Sequence, residues 1–269
     1  MAHIIRVCLA GATGWIGRAL VPAISESRNL SLVGAVSRSH RGRGLGEVLG
    51  IPKTPLVISG SVEEALRART DVLIDFTSPG VVKSNVLLAI SMGVHIVIGT
   101  SGLTDADYKE IDRKARRKQI GVIAAGNFAI SAVLMEHFAS VAAKFMPSWE
   151  VLDYANDSKP DAPSGTAREL VHFLSGVGSP VLRIPVNKTK GAKESRGLTM
   201  GGTQVHSVRL PGYVIGTEAI FGNTGERLSI RYDAGSDAAP YINGILAAVR
   251  KAPKLVGLRR GLWGFLNQE

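Results

Sequence analysis

The sequence predicts an α/β domain with a parallel sheet, followed by a second α+β domain built on a mainly antiparallel sheet. Three observations predict it. Short apolar runs alternate with amphipathic helical stretches through the first half of the chain, as in parallel sheets covered by helices on both faces. A glycine-rich turn, GATGWIG, joins the first apolar run to the first helix. Near Asn127 the pattern gives way to consecutive strand-like runs separated by glycine turns, as in antiparallel sheets.

The elements follow in order. IIRVCLAGA reads as a buried strand, and the stretch from Trp15 to about Ser25 as a helix. LSLVGAVS is a second strand, VEEALRA a short helix and DVLIDFTS a third strand. SNVLLAISMG is a helix, HIVIGTS a strand, DADYKEIDRKARRKQ a charged amphipathic helix and IGVIAAGN a strand. The second part opens with the helix SAVLMEHFASVAAKF, the strand EVLDYAND and the helix SGTARELVHFL. TQVHSVRL, YVIGTEAIFG and ERLSIRYDA are three further strands, and DAAPYINGILAAVRKA is a closing helix. VNKTKGAKESRGLT is polar and glycine-containing, and reads as a mobile loop.

Composition narrows the function classes. The 269 residues are 45% hydrophobic, enough for a sizeable core. The single cysteine, Cys8, excludes an internal disulfide and points to a reducing compartment. The N-terminal MAHIIRVCLAGATG runs into a strand without a signal-peptide pattern, and no apolar run reaches the ~18–20 residues a membrane helix needs. The expectation is a cytoplasmic protein with no membrane partner. The net charge of +10 raises the question of nucleic acid, but no aromatic residues interleave with RSHRGRG or RKARRK and no nucleic-acid motif is present. An anionic cofactor or substrate explains the charge with fewer assumptions. No His/Cys/Asp/Glu cluster has metal-ligand spacing, so no metal is expected.

The turn after the first strand carries Gly11, Gly14 and Gly17, with Thr13, Trp15 and Ile16 between them. In a dinucleotide site the first glycine makes the tight turn, the second lets backbone amides approach a pyrophosphate, and the third allows helix–strand contact. The helix N-terminus adds a favourable dipole. Where an NAD site places an acidic residue after the second strand, this chain has Ser37 and Arg38, then Arg41 and Arg43. A hydroxyl and guanidinium groups suit a 2′-phosphate, so NADPH is expected over NADH. Short-chain reductases also carry GATGxxG turns, but their Tyr-x-x-x-Lys pair is absent, Tyr154 and Lys159 being five apart.

KPDAPSGTA, residues 159–167, places Lys159 just before a turn that opens a helix on Ser-Gly-Thr. First-turn amides of Ser164, Gly165 and Thr166 have no intrahelical acceptor and can face an anion, while Lys159 can pair with that anion or protonate a nitrogen. Thr166 and Glu169 also fit a capping box, the bland alternative for that threonine.

Together with GATGWIG, the segments DVLIDFTSP, GTSG, AGNFAIS, KPDAPSGTA, VRLPGYVIG and FGNTGERLSIRYDA make the chain resemble dihydrodipicolinate reductases over nearly its whole length. The resemblance implies a Rossmann domain of residues 1–126 plus 238–269 and a substrate-binding and oligomerisation domain of residues 127–237, assembled as a homotetramer, with a homodimer as the alternative. It implies hydride transfer from NADPH or NADH to a small, anionic, carboxylated substrate with a cyclic C=N or conjugated C=C bond. Cofactor and substrate contacts carry over to Phe76, Thr77, Gly99, Thr100, Ser101, Asn127 and Phe128, with Ser101 on the substrate side, and substrate-carboxylate contacts to Gly165 and Thr166.

The chain departs from the family where a histidine pair normally precedes the lysine. Ala155 and Asn156 stand at those positions, and Asn156 can only hydrogen-bond a substrate. Two further family histidines fall at about Gly216 and at Tyr232; Ala129 and Ser131 also depart from the usual residues. The histidines present, including His137, His172 and His206, read as packing or surface residues. Three readings stay open: a family reductase on a related substrate, with Lys159, Tyr154, Tyr232 or water giving the proton; a 4-hydroxy-tetrahydrodipicolinate reductase of lysine biosynthesis; and a catalytically weak NADPH-binding sensor. Whether the 187–200 loop closes over the site is a further question.

Overall fold

The computed structural model describes residues 4–51 and 54–263. The outer ends of the first expected domain, residues 1–3 and 264–269, lie outside them. In chain order the elements are β1 (Ile5–Ala10), α1 (Trp15–Glu26), β2 (Leu30–Val36), α2 (Leu45–Leu49), α3 (Val62–Ala65), β3 (Val72–Asp75), α4 (Pro79–Ser91), β4 (His95–Ile98), α5 (Asp105–Lys118), β5 (Gly121–Ala124), α6 (Ile130–Ala142), β6 (Ser148–Ala155), α7 (Gly165–Val177), β7 (Leu198–Met200), β8 (Thr203–Arg209), β9 (Ile215–Asn223), β10 (Glu226–Ala234), α8 (Ala239–Lys251) and β11 (Gly257–Arg260).

They form two units, one running to Ala129 and resuming at Ala238, the other spanning Ile130–Asp237. In the first, six strands pair in the order β11-β5-β4-β3-β1-β2, every pair parallel. The order reverses direction at β1, whose neighbours are β2 and β3, so the carboxyl ends of β1 and β3 make the topological switch point where such sheets bind ligands. The strands are apolar on both faces because helices cover both: Val7, Cys8, Leu9 and Ala10 are fully buried. Leu73, Ile96 and Val122 pack with Val82 and Val86 of α4 and Ile111 of α5. A capping box fixes the start of α5, Thr104 and Asp107 bonding each other's backbone amides.

In the second unit five strands pair in the order β10-β9-β6-β8-β7. All pairs are antiparallel except β6 with β8, which run parallel. That exception arises because β6 is followed by the α7 crossover rather than a hairpin. β6 alternates half-buried and buried residues, so Trp149, Val151, Asp153 and Ala155 face inward. Trp149 anchors this core, its ring 6.1 Å from Phe221 and its indole N–H donating to Thr203 at 2.9 Å.

Three elements lie outside the sequence expectation. β11 forms within the basic stretch after the last helix, where Leu258 and its neighbours pair with β5. α2 is five residues long, too short to show a period. The segment expected to be a loop carries two 3₁₀ turns, Val186–Lys188 and Lys193–Arg196, and ends in β7.

Candidate active site

In the first unit the expected cofactor residues follow the carboxyl ends of β1 to β5. Gly11 has φ +86°, and a Cβ there would lie 2.1 Å from the Phe76 carbonyl oxygen. Gly17 is equally constrained, a Cβ falling 2.2 Å from the Gly11 carbonyl. The amides of Gly11 and Ala12 both donate to Val36, which clamps the turn to the end of β2. No acidic residue sits in the first turn of α1, so the helix N-terminus keeps its positive potential. Trp15 lies edge-on to Tyr241 of α8 with ring centroids 5.5 Å apart.

A hydroxyl cluster marks the end of β2. Thr13 Oγ1 lies 2.8 Å from Ser37 Oγ, and Ser39 and His40 Nδ1 extend the cluster. Arg41 and Arg43 pair with Glu64 and Glu47, which assigns both to the bland reading of solvated loop residues. Arg38 makes no ion pair among the described residues and lines a cleft of about 700 Å³ with Gly11, Ser37, Phe76, Thr77 and Asn85.

Asp75, unremarked within DVLIDFTSP, organises the ends of β3 and β4. Its buried carboxylate accepts from Thr77 Oγ1 and Thr100 Oγ1, both at 2.6 Å, and from Asn85 Nδ2 at 2.8 Å. A fully buried carboxylate surrounded by donors is a signal that sequence reading misses, because an aspartate at a strand end is ordinary in a loop. Gly99 leaves room for the Phe76 ring, which a Cβ would approach to 2.1 Å. Phe76 in turn lies 5.8 Å from Phe128, and Asn127 Oδ1 accepts the Ala129 amide at 2.8 Å. Ser101 follows Thr100 as an exposed residue. Burial first, and then the charge of Asp75, push the Cys8 thiol up to about 12, so it stays an inert core residue.

In the second unit β6 leads into the turn before α7. Lys159 closes a turn on the Asn156 carbonyl, and its Nζ lies 2.6 Å from Asp161 Oδ1. Burial raises the Asp161 carboxyl, but the Lys159 hydrogen bond and charge outweigh it and hold the group below its ordinary value. Asn156 Oδ1 accepts from Ser158 N and Oγ, so this side chain also shapes its own loop. Ser164 is the N-cap of α7, its hydroxyl accepting the Ala167 amide at 3.2 Å, while its own amide donates to buried Asp153 at 2.9 Å. The cap is Ser164, which removes the bland capping alternative for Thr166, and one expectation is corrected: the Ser164 amide, read as free to face an anion, is already engaged. Gly165 and Thr166 follow Ser164 as the first residues of α7.

The tyrosines divide between the two sheet faces. Tyr154 points away from Asp153 and Ala155, stacks on Tyr213 at 5.2 Å and donates to Glu218 at 3.1 Å. Burial and the Glu218 hydrogen bond raise its phenol above the ordinary value, and its place on the face opposite Ala155 keeps it from standing in for a histidine there. Tyr232 is buried and pairs in register with Thr217, which pairs with Asp153, giving one inward row. Among the other histidines, His206 lies 2.7 Å from Glu150. His95, on β4 of the first unit, accepts the Gly121 amide, and burial lowers its pKa. A buried carboxyl on α6, Glu136, escaped the sequence reading because its helix shows no polar stripe; burial and the Glu169 charge push it well above the ordinary range.

Among the described residues no group of His, Cys, Asp or Glu could hold a metal ion, and no helix is long and apolar enough to cross a membrane.

The family model described as "Dihydrodipicolinate reductase, N-terminus" matches residues 5–128, and that described as "Dihydrodipicolinate reductase, C-terminus" matches residues 131–265. The chain belongs to the dihydrodipicolinate reductase family. A relative named 4-hydroxy-tetrahydrodipicolinate reductase from Desulfitobacterium hafniense is 42% identical over 98% of this chain and 99% of its own length. Another of that name, from Moorella thermoacetica, is 37% identical over 99% of this chain and all of its own length. The dipicolinate-bound dihydrodipicolinate reductase from Paenisporosarcina sp. TG-14 superposes with a TM-score of 0.76 at 29% identity, covering 97% of this chain and 99% of that one. GenD2 from gentamicin A biosynthesis, solved with NAD, shares the fold at 12% identity and a TM-score of 0.66, over 94% of this chain and 87% of that one. The chain is therefore an NAD(P)H-dependent oxidoreductase of this family. The glycine cradle at Gly11 and the cleft beside it fit a pyridine nucleotide, which supplies the hydride when bound.

Proposed function

We propose that the protein uses NADPH to reduce a C=N or conjugated C=C bond in a small, cyclic, carboxylated substrate. The observation that carries the substrate class is the turn in the second unit, where buried Asp153 holds the N-terminus of α7 and Lys159, on the loop just before it, pairs with Asp161. A helix N-terminus and an ammonium group on one short loop suit a carboxylate. Dipicolinate, the dicarboxylate bound by the Paenisporosarcina relative, is a ligand of this class. Within the second unit, Gly165, Thr166 and Asn156 bind the substrate. Lys159 grips the carboxylate and delivers the proton to nitrogen; in the histidine positions Ala155 has no proton to give and Asn156 only hydrogen-bonds.

The NADPH preference rests on Arg38 and the hydroxyls of Thr13, Ser37 and Ser39, with no carboxylate among them to repel a 2′-phosphate. Gly11, Gly14, Trp15, Ile16 and Gly17 take the pyrophosphate, and Phe76, Thr77, Gly99, Thr100, Asn127 and Phe128 form the nicotinamide end. The expected assembly is a homotetramer, or a homodimer, through the second sheet, whose outward residues Leu152, Val208 and Ile220 are only half-buried. The cytoplasm is the expected compartment.

A second reading keeps the lysine-pathway substrate itself, favoured by relatives of that name at up to 42% identity over almost the full length. NADPH oxidation with 4-hydroxy-tetrahydrodipicolinate generated in situ, beside a panel of other cyclic imines and enamines, separates the two. Turnover confined to the panel supports the related substrate, and rapid turnover of the pathway compound supports the second reading. Tight NADPH binding with no turnover of either leaves a sensor and overturns both.

A further inference from the structure

We propose that Asp153 and Arg209 are positioning residues, a strut that holds the α7 N-terminal turn and the Lys159 loop in one geometry for the substrate carboxylate. The inference rests on the substrate class proposed above, and its geometry lies wholly within the second unit.

The loop leaves β6 after Ala155 and returns at Ser164, so nothing in the sheet ladder fixes residues 156–163. The strut crosses its base. Arg209, the last residue of β8, donates from Nη2 to Asp153 Oδ2 at 2.8 Å and to the Asp161 carbonyl at 2.7 Å. Its Nη1 also reaches the Asp153 carbonyl at 3.2 Å. Asp153 Oδ2 meanwhile accepts the Ser164 amide at 2.9 Å and Ser207 Oγ at 3.1 Å. One guanidinium therefore ties together the start of the loop, the residue that pairs with Lys159 and, through the carboxylate, the N-cap of α7.

Two arguments make this more than packing. A fully buried carboxylate with one oxygen, Oδ1, lacking a hydrogen bond is a costly way to stabilise a core. Its service is geometric, since a planar fork can hold two acceptors at fixed angles and a lysine cannot. Moreover, an uncompensated carboxylate beneath the turn would repel the ligand carboxylate. Arg209 neutralises Asp153 as Lys159 pairs with Asp161, leaving the helix N-terminus to set the potential at the turn. Asp161 completes the arrangement by holding Lys159 at its edge.

The test uses the full chain and two readouts. Amide hydrogen exchange compares wild type with Arg209→Lys, Asp153→Asn and the milder Ser207→Ala, and dipicolinate and NADPH affinities are measured for each. The strut predicts faster exchange confined to residues 156–167 and dipicolinate binding weakened by about tenfold or more for the first two variants, the scale of a lost charge-assisted hydrogen bond. Ser207→Ala shows the same pattern more weakly, and decides the matter if the others do not fold. Asp153→Glu, which keeps the carboxylate, restores most of the affinity lost in Asp153→Asn. NADPH affinity is unchanged throughout. Wild-type exchange in residues 156–167, or exchange rising equally across the whole second unit, overturns the inference. If wild type itself fails to bind dipicolinate, the proposed ligand class falls, while the exchange pattern still decides the strut.

Discussion

Replacing Lys159 by alanine removes the only ammonium on the loop before α7. The side chain is partly exposed and its partner Asp161 more so, so loss of this ion pair costs little stability, within the ~0–1 kcal/mol of surface pairs. The catalytic cost is far larger. Losing a charge-assisted bond to the substrate carboxylate removes ~1.5–3 kcal/mol of binding, roughly a 10–100-fold rise in KM. Losing the proton donor as well lowers kcat by ~10²–10⁴. The assay is NADPH oxidation under saturating cofactor, with NADPH affinity and thermal midpoint measured in parallel. Lys159→Ala should lose ~10³-fold or more in kcat/KM while both controls stay at wild-type values. Wild-type kcat/KM in the variant would refute the role given to this lysine. A rise in KM with kcat untouched would reduce it to an anchor and return the proton to water or Tyr232.

Three further outcomes are expected. Gly11→Ala sets a Cβ against the Phe76 carbonyl in a left-handed backbone position, so pyridine-nucleotide binding should vanish and the thermal midpoint fall; wild-type nucleotide affinity in a folded variant would contradict it. Arg38→Ala should lower NADPH affinity by about tenfold and leave NADH nearly unchanged, an equal loss for both dismissing the 2′-phosphate role. Glu136 has a folded-state pKa raised by burial and by Glu169, so its protonated form suits the fold. Its contribution is fully present below the unfolded carboxyl pKa and is lost as pH rises through the folded value. Glu136→Gln should therefore match wild type near about pH 4 and become the more stable protein toward about pH 8, as read from thermal midpoints. A difference that does not change with pH would contradict the buried-acid reading.

Much of this architecture was legible because alternation and glycine placement carry it. The doubly apolar strands of the first sheet and the glycine turn at 11–17 follow from local rules that need no long-range information. β11 was hidden because its Gly-Leu-Arg-Arg run owes its strand state to the edge of β5 rather than to composition. The parallel pairing of β6 with β8 was equally hidden, since register and direction depend on how α7 returns the chain. In the candidate site, KPDAPSGTA announced the anion turn, but not that Ser164 caps it with its amide spent on Asp153. Asp75, Asp153 and Arg209 looked like ordinary strand-end residues. Their importance comes from burial and from partners up to 56 positions away in sequence. The likeness of Tyr154 to a replacement acid failed for a simpler reason, the period of two in β6, which turns it to the opposite face from Ala155.

The most direct measurement is single-turnover oxidation of bound NADPH after mixing with 4-hydroxy-tetrahydrodipicolinate or a related cyclic imine dicarboxylate, in wild type and Lys159→Ala. The account predicts hydride transfer with at least one of these substrates in wild type, and its near abolition in the variant without loss of NADPH. Saturating NADPH binding with no hydride transfer to any member of the class would contradict it.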